Sequence, residues 1–576
     1  MPVHNSYIAE IFNRVADLLE IKGGNLFRIR AYRNAARTIE GLSKSVADLV
    51  DQEKDLRNLP GIGKDLGDKI KKIVKTGSLP LLKELEKELP PDLPNLMKIQ
   101  GLGPRKVKAL FEKLGVRSIG SLRKAAQEKK IQKLYGFGRS TEQSILEELN
   151  RIKKKGGEKE RVKISIAEQI AKPLLAYLMK AEGIKNLEVA GSYRRRKETV
   201  GDLDILATCK KGSEIIDRFV KYDEVNKILA QGKTKSSVVL RSGLQVDLRI
   251  VPQISYGSAL HYFTGAKEHN IAVRKMGVKK ELKVNEYGVF KGKKRIAGKT
   301  EKEVYEQIGL SYIEPELREN RGELEAAAKK SLPRLIVLDD IKGDLHVHTM
   351  STDGHNPLEE MVGAAKKRGY EYLAITDHSK HTSVARGLDV KRLMAQIEKI
   401  DKLGQKLGGI RILKSIELDI LEDGSLDLPD DVLKELDLVV CSIHYKFNLS
   451  RDKQTKRVIR AMDNLFFNIF AHPTGRLINE RRPYDINMEE VMKAANQRGC
   501  FVELNAHPDR LDLNDIDCKM AKDLGVKVVL STDAHRIDDL DLMRFGIGQA
   551  RRGWLEAKDV LNTRNWKELK NILKRN

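Results

Sequence analysis

Aspartates 202, 204 and 247 carry the first readable chemistry. In GSYRRRKETVGDLDIL (191–206), Asp202 and Asp204 stand two apart in an apolar strand pattern, so both carboxylates face one side. Charges at alternate positions of a buried strand repel one another unless a cation lies between them. A hairpin follows with Ser242-Gly243 at its turn, and its second strand, LQVDLRIV, brings Asp247 beside the first pair. Three carboxylates on adjacent strands suit two Mg²⁺ ions and phosphoryl transfer, one ion serving a 3′-hydroxyl and the other a triphosphate and its leaving group. Just upstream, Gly191-Ser192 and the cluster Arg194–Arg196 suit the clamping of phosphates. Exposed carboxylates on an edge strand are the plainer alternative.

A second chemistry lies downstream. Nine of the twelve histidines follow residue 340, and with them a recurrence of acids. GDLHVHT carries His346 and His348, with Asp353 in the next loop. AITDHS carries Asp377 and His378, KSIELDI carries Glu417 and Asp419, CSIHY carries His444 and FAHP carries His472. LNAHP follows Glu503 with His507, and LSTDAH carries Asp533 and His535. Any one of these is more simply a core or surface residue, but the recurrence is harder to obtain by chance. Imidazole and carboxylate ligands without thiolates suit Zn²⁺, Mn²⁺ or Fe²⁺. The set exceeds one tetrahedral site, so a multinuclear phosphoesterase centre is expected, with water as the nucleophile.

These residues need elements to position them. Seven strand-like runs are expected after residue 340 (344–348, 372–376, 411–416, 437–443, 468–471, 501–505 and 527–531), with helical segments between most of them. That alternation predicts a βα barrel or doubly wound sheet. The ligand-type residues fall at the C-terminal ends of the strands, where barrel active sites sit. Strand signals also dominate 187–251, whereas 1–150 reads as helical. The lysine-rich stretch 151–163 and a charged helix over 316–333 read as linkers.

The helical region contains a weak repeat: LPGIGKDLGDKI, IQGLGPRKVKALFEKLGV and LYGFGRSTEQSILEEL. Each is an apolar residue, then G-x-G, then an amphipathic helix. In a helix–hairpin–helix, such glycines let the backbone approach a phosphate, which the N–H groups of the next helix then bind without reading sequence. Gly61, Gly63 and Lys64 in the first copy, and Gly101, Gly103 and Arg105 in the second, are the candidate DNA contacts. Gly136 and Gly138 form a weaker third copy.

Composition agrees. Over 576 residues, 107 Lys and Arg against 82 Asp and Glu leave a net charge of +25, which points to a polyanionic partner, nucleic acid above all. A Lys/Glu-rich thermophile surface would raise both signs without this excess. Four cysteines (209, 441, 500, 518) without CxxC spacing point to a reducing cytoplasm and away from a disulfide framework. The N-terminus lacks a signal-peptide pattern and no apolar run reaches the length of a membrane span, so a cytoplasmic protein is expected.

GSYRRRKETVGDLDIL with the later VDLR resembles the nucleotidyltransferase signature of the family X DNA polymerases, and ALHYFTGAKEHNIAVR (259–274) resembles that family's nucleotide-binding segment. By this resemblance Asp202, Asp204 and Asp247 are the catalytic metal ligands, and Ser192, Arg195 and Gly201 hold or flank the triphosphate. Tyr262, Phe263 and Gly265 line the sugar and base, and Asn270 and Arg274 lie near the minor-groove face of the nascent pair. The histidine-rich half resembles the PHP (polymerase and histidinol phosphatase) family, a distorted seven-stranded βα barrel with a trinuclear centre. Its ligands match His346, His348, Asp353, His378, Glu417, His444, His472, Asp533 and His535. His355, His381 and His507 fall outside that pattern; Glu503 is a supporting candidate, and Arg386 or Arg510 a candidate for substrate phosphate.

The two resemblances together are to bacterial and archaeal family X polymerases with a fused PHP domain. They imply a multidomain α+β and α/β chain: a DNA-binding helical domain (1–85), a fingers-like helix–hairpin–helix domain (86–155) and a nucleotidyltransferase palm (156–255). A thumb-like subdomain (256–320), a linker (321–340) and a PHP metallo-phosphoesterase barrel (341–576) follow. They imply gap-filling synthesis in base excision repair on gapped or nicked DNA with dNTPs, by a monomer using Mg²⁺ at the palm. A Mn²⁺ or Zn²⁺ cluster would serve a 3′→5′ exonuclease, with apurinic-site cleavage left open. Lys69 falls where lyase-active members carry a Schiff-base lysine, but Asp65 and Arg28 replace two supporting lysines, so a solvated helix lysine is the preferred reading. The alternative to the whole is a non-templated nucleotidyltransferase with a PHP phosphatase or scaffold.

Overall fold

The computed structural model describes residues 5–40, 46–59, 61–90, 92–97, 99, 102–139, 141–146, 149, 161–210 and 213–574. Contacts divide the chain into two units, Met1–Glu160 and Arg161–Asn576.

In the first unit, α1 (Asn5–Lys22) and α2 (Leu26–Glu40) pair. Ile8, Ile11, Phe12, Val15, Leu18 and Leu19 recur at helical spacing and are buried, the stripe that a packed helix requires. The rings of Phe12 and Tyr32 meet edge to face at 5.4 Å. The repeat is one turn used three times. The N–H between the two glycines donates to the carbonyl three residues back, in Ile62 to Leu59, Leu102 to Ile99 and Phe137 to Leu134. Gly61 and Gly136 take φ of 74° and 82°, the left-handed position that such a turn reserves for glycine. Ile62, Leu102 and Phe137 are buried, so the residue between the glycines anchors each hairpin. Gly101 lies outside the described residues. The helices that follow are α3 (Lys64–Thr76) and α4 (Pro104–Leu114), N-capped by Gly63 and Gly103.

The second unit begins with α5 (Ile164–Leu178), which covers a five-stranded sheet. The strands are β1 (Ile184–Val189), β2 (Asp202–Cys209), β3 (Val225–Gln231), β4 (Lys235–Leu240) and β5 (Gln245–Ile250), in the order β1-β2-β5-β4-β3. β2 and β5 run parallel while the other neighbours are antiparallel. The short α6 (Gly191–Arg194) turns between β1 and β2. Beyond the sheet lie α7 (Tyr256–Thr264), α8 (Lys267–Lys279) and a small antiparallel sheet of β6 (Leu282–Asn285), β7 (Gly288–Lys291) and β8 (Lys294–Ala297).

Residues 321–340, expected as a linker, pack instead. The helix expected over 316–333 is only α9 (Glu323–Ala328), whose Leu324 and Ala327, with Leu335, join the core of Val273, Val304 and Leu317. The charges that suggest solvation are neutralised locally. Glu323 is fully buried, 2.6 Å from His269 Nδ1, and accepts the N–H groups of Asn320 and Arg321. Arg318 is buried against Glu301. At the other expected linker, residues 151–160 lie outside the described residues, and Val162–Lys163 pairs with Thr199–Val200.

After residue 340 the strands are β9 (Gly343–Val347), β10 (Tyr372–Ile375), β11 (Arg411–Lys414), β12 (Glu417–Asp419), β13 (Val440–Ser442), β14 (Ile469–Phe470), β15 (Phe501–Asn505) and β16 (Val528–Ser531). All ladders are parallel, in the orders β9-β10-β11 and β12-β13-β14-β15-β16. The bridges Val347↔Ala534 and His378↔Glu417 join the two sets into a distorted barrel. The third expected strand is thus broken between Lys414 and Glu417, so β11 and β12 share one position of a seven-stranded barrel. Barrel residues Ile478, Leu511 and Phe545 sit in the same core as Ile164 and Leu203 of the β1–β5 layer, and Lys163 meets Glu480 at 2.6 Å and Asp509 at 2.7 Å. Among the described residues no helix is long and apolar enough to cross a membrane.

Candidate active sites

The register of β2 and β5 pairs Asp204 with Asp247 and Asp202 with Gln245, so the three aspartates share the face predicted from their spacing. The turn before β2 closes on Asp204. Ala190 N–H donates to Asp204 O at 2.7 Å, and Gly191, at φ 63°, leaves no room for a side chain: a Cβ there would stand 2.7 Å from Asp204 Oδ2. Burial, then Asp202 and Asp247, raises the Asp204 carboxyl to about 6. An all-carboxylate set that disfavours its own ionisation fits a hard divalent cation. Asp204 and Asp247 line a small pocket with Ala190, Arg249 and Phe263, and the Arg249 guanidinium lies 4.6 Å from the Phe263 ring centre.

Ser192 lies in α6 and Gly201 immediately before β2. Arg195 is engaged: its Nε donates to Glu319 at 2.9 Å and its Nη1 to Thr264 O at 2.7 Å. Tyr262 and Phe263 meet edge to face at 5.1 Å in α7. Asn270, buried, gives its amide to Tyr262 O at 2.7 Å and Gly265 O at 3.1 Å. It therefore holds the Tyr262–Gly265 turn in this structure instead of presenting free donors to a base pair. Arg274 is exposed, 5.9 Å from the Tyr262 ring centre.

In the barrel, the strand ends bring the proposed ligands together. Glu417 is the hub, fully buried by its place after the break in the third strand. Its Oε2 lies 2.9 Å from His378 Nδ1 and 3.4 Å from His346 Nε2. Its Oε1 lies 2.9 Å from His472 Nε2 and 3.3 Å from His444 Nε2. Asp533 Oδ1 lies 3.1 Å from His348 Nε2, and Asp353 Oδ2 lies 3.4 Å from His378 Nε2 and 3.5 Å from His535 Nε2. Three overlapping groups, His346/His348/Asp533, His378/Glu417/His444 and His348/Asp353/His378/His535, each bring ligand atoms within 4.8 Å of one another. His472 completes the set beside Glu417.

The donor set fits metal ions. Buried His346 Nε2, His348 Nδ1 and Nε2, His378 Nδ1, Asp353 Oδ1 and Glu417 Oε2 crowd together without a well-formed hydrogen bond, and a buried polar atom left so is costly unless something binds it. Burial, then His535 and His378, pushes His348 down to about 3, the neutral state that a ligand needs. The ligands are oriented from behind, as metal-binding imidazoles are. His346 Nδ1 meets Glu503 at 2.7 Å, His444 Nδ1 meets Asp419 at 3.1 Å and His535 Nδ1 meets Asp533 O at 2.8 Å. His472 and Asp533 hold φ of 28° and 54°, backbone strain of the sort that clusters at functional sites.

Several supporting contacts could not be read from the sequence pattern, although Asp377 and Asp419 themselves stand out in it. Asp377, next to His378, faces away from the cluster and accepts from Thr349 N–H, Thr349 Oγ1, Thr352 Oγ1 and Gln396. Asp344 accepts from Thr532 and from His346 N–H. Thr382 Oγ1 donates to Asp419 at 2.6 Å. The only local signal was an acid one or two residues before a ligand histidine. Of the phosphate candidates, Arg510 Nε reaches within 3.6 Å of Asp533, whereas Arg386 donates to Thr352 O. His381 packs on Tyr445, His355 N–H donates to His535 O and His507 lies beside Asp509.

At the hairpins, Gly61, Gly63, Lys64, Gly103 and Arg105 are exposed. Neither α3 nor α4 has a side-chain cap on its first turn, so those N–H groups are open to an anion. Lys69 is ion-paired with Asp65 within α3 and stands over the Tyr32 ring at 5.5 Å.

A carboxylate-bearing mixed sheet beside a phosphate-type turn, fused to a barrel with a histidine–carboxylate cluster, defines a nucleotidyltransferase joined to a metallo-phosphoesterase. Family profiles match in the same order: helix-hairpin-helix domain (3–79), SAM-like helix-hairpin-helix tandem (93–151), DNA polymerase beta palm (164–256), DNA polymerase beta thumb (259–319) and PHP domain (344–507). The DNA polymerase/3′-5′ exonuclease PolX of Bacillus subtilis (strain 168) is 39% identical over 578 residues, covering 100% of both chains. This chain belongs to the PolX family, the family X DNA polymerases that carry a PHP domain. Its barrel half is also similar to a probable phosphatase of Thermoanaerobacter sp. (strain X514), 32% identical over 38% of this chain and 89% of that one. A probable phosphatase of Acetivibrio thermocellus is 32% identical over 33% of this chain and 78% of its own.

Proposed function

We propose that this chain fills short gaps in DNA during base excision repair and that its barrel cleans or proofreads the 3′ end. DNA polymerase and 3′→5′ exonuclease are the activities of its family. The observation that carries the reading is the register of Asp204 against Asp247 beneath the Gly191 turn.

Asp202, Asp204 and Asp247 would hold Mg²⁺, which supplies charge neutralisation for a 3′-oxygen and a triphosphate when bound. The chain's own residues do the rest. Ser192 and the turn through Gly201 receive the triphosphate, joined by Arg195. The edge formed by Tyr262, Phe263 and Gly265 carries the sugar and base, with Asn270 fixing that edge and Arg274 beside it. Orientation of the 3′-hydroxyl toward the α-phosphate is the main catalytic gain, and pyrophosphate leaves. The hairpins at Gly61–Lys64 and Gly101–Arg105 grip the sugar-phosphate backbone of gapped or nicked DNA.

In the barrel, Glu417 and the eight residues around it would hold Mn²⁺ or Zn²⁺, which supplies Lewis acidity and an activated water to a phosphodiester. Glu503 and Asp419 keep His346 and His444 aimed inward. Lys69, whose side chain is 18% exposed and paired with Asp65, acts as a structural cation and not as a lyase nucleophile. The protein works as a monomer in the cytoplasm.

The test is a pair of assays on gapped DNA with Mg²⁺ or Mn²⁺. Asp202→Ala abolishes synthesis and spares 3′ digestion; His346→Ala does the reverse. Loss of digestion in Asp202→Ala would refute two separate centres. Extension of a single strand as fast as a gapped primer would favour non-templated transfer.

A further inference from the structure

We propose that Arg552, a residue of the barrel half, is a positioning residue for nucleotide binding at the polymerase site. The inference rests on the reading that Arg195 binds the triphosphate.

Arg552 closes α10 (Met543–Arg552), and its side chain is 2% exposed. Its Nη1 donates both to the backbone carbonyl of Arg195 and to Glu319 Oε1, each at 2.9 Å, while its Nη2 donates to Asp515. Arg195 Nε donates to that same Glu319 oxygen at 2.9 Å. One turn earlier on α10, Gly548 lies against the phosphate turn; a Cβ there would stand 3.2 Å from Arg196 Cβ. The barrel helix therefore touches the turn that carries Ser192 and Arg195, and one carboxylate oxygen holds an arginine from each half.

This arrangement has a consequence for binding. To turn its Nε edge onto a triphosphate, the Arg195 guanidinium must give up Glu319. A carboxylate whose side chain is only 11% exposed is costly to leave unpaired. Arg552 remains on Glu319, so the exchange leaves one ion pair intact. Without Arg552, Glu319 would keep Arg195 as its hydrogen-bonded partner, with Lys197 adding only attraction through space, and hold Arg195 back from the nucleotide.

Single-nucleotide incorporation by the full chain on gapped DNA with Mg²⁺ tests this. Arg552→Gln is expected to raise the KM for dNTP about tenfold with kcat changed less than about threefold, and Arg552→Lys to fall between it and the parent. Digestion of a 3′ end by the barrel is expected to stay within about twofold of the parent. In a Glu319→Gln background, Arg552→Gln is expected to add less than about twofold to KM, because the carboxylate that traps Arg195 is gone. An unchanged KM in Arg552→Gln, or an equal rise in both backgrounds, overturns the proposal. Should Arg552→Gln fail to fold, Glu319→Gln alone decides. It lowers the KM for dNTP if Arg195 is restrained by Glu319, and an unchanged or raised KM refutes the idea. Arg195→Ala separates the two layers. If it leaves KM unchanged, the reading of Arg195 itself fails; if it raises KM while Arg552→Gln does not, only the role of Arg552 fails.

Discussion

Glu503 and His346 are joined across 157 residues by a 2.7 Å contact between Oε1 and Nδ1. The other Glu503 oxygen accepts His472 N–H at 2.6 Å. One carboxylate thus holds two ligands of the barrel centre and directs His346 Nε2 inward. Glu503→Gln retains one acceptor and loses the other. It is expected to reduce 3′ digestion and metal affinity roughly 10- to 100-fold, as loss of such supporting contacts does. Chelator competition alongside the nuclease assay measures this; wild-type metal retention would count against it.

Glu417 meets five imidazoles, so its removal reaches more of the cluster. Glu417→Gln is expected to lower the bound metal per chain, read by elemental analysis, and to cut digestion more than about 100-fold. Gap filling is expected to remain within about twofold. A variant that keeps its metal complement and loses only rate would instead make Glu417 a general base.

Gly191→Ala puts a methyl group against Asp204 Oδ2 at a backbone angle that disfavours it. Displacement of either the turn or the carboxylate is expected to slow incorporation about 100-fold or more. Digestion by the barrel serves as the folding control, and normal incorporation by this variant would mean that the turn relaxes without disturbing the triad.

The raised Asp204 carboxyl makes a signed prediction for pH. Its folded value, about 6, lies above the ordinary 3.8. The proton therefore stabilises the metal-free native state at low pH, and that contribution is lost as pH rises from about 4 through about 6, by at most about 3 kcal/mol. Mg²⁺ replaces the proton. The increase in Tm on adding Mg²⁺ is expected to be larger near pH 7.5 than near pH 5, and Asp204→Asn is expected to remove that difference. An equal Mg²⁺ effect at both pH values would contradict the burial argument.

Lys64→Ala combined with Arg105→Ala removes two of the proposed phosphate contacts, which would carry no sequence information. The slope of log affinity against log salt is expected to fall by about 2, with the same loss on any gapped sequence. Titrations over several salt concentrations report it; an unchanged slope would mean that Lys64 and Arg105 do not contact the DNA.

The parts that were legible in the sequence are those in which spacing alone implies a common face. Asp202 with Asp204, His346 with His348, and each G-x-G turn needed only the period of a strand or the conformational demand of a tight turn. What stayed hidden depends on partners far along the chain. Glu503 cannot be tied to His346, nor Arg552 to Glu319, by any local pattern. The break between Lys414 and Glu417 was unreadable because KSIELDI is continuously strand-like. Residues 321–340 misled because a buried, hydrogen-bonded carboxylate looks like solvated charge until Glu323 is seen facing His269. Asn270 was placed by its position in a motif, which does not reveal that its amide is spent on Tyr262 and Gly265.

Ile478, Leu511 and Phe545 belong by chain position to the nuclease and by packing to the polymerase. A scission near residue 335 would strip both fragments of the same oily seam. The two catalysts are therefore not modules on a string that can be exchanged freely between relatives. Swapping one half obliges the other to accept a new inner wall where Ile478, Leu511 and Phe545 now pack.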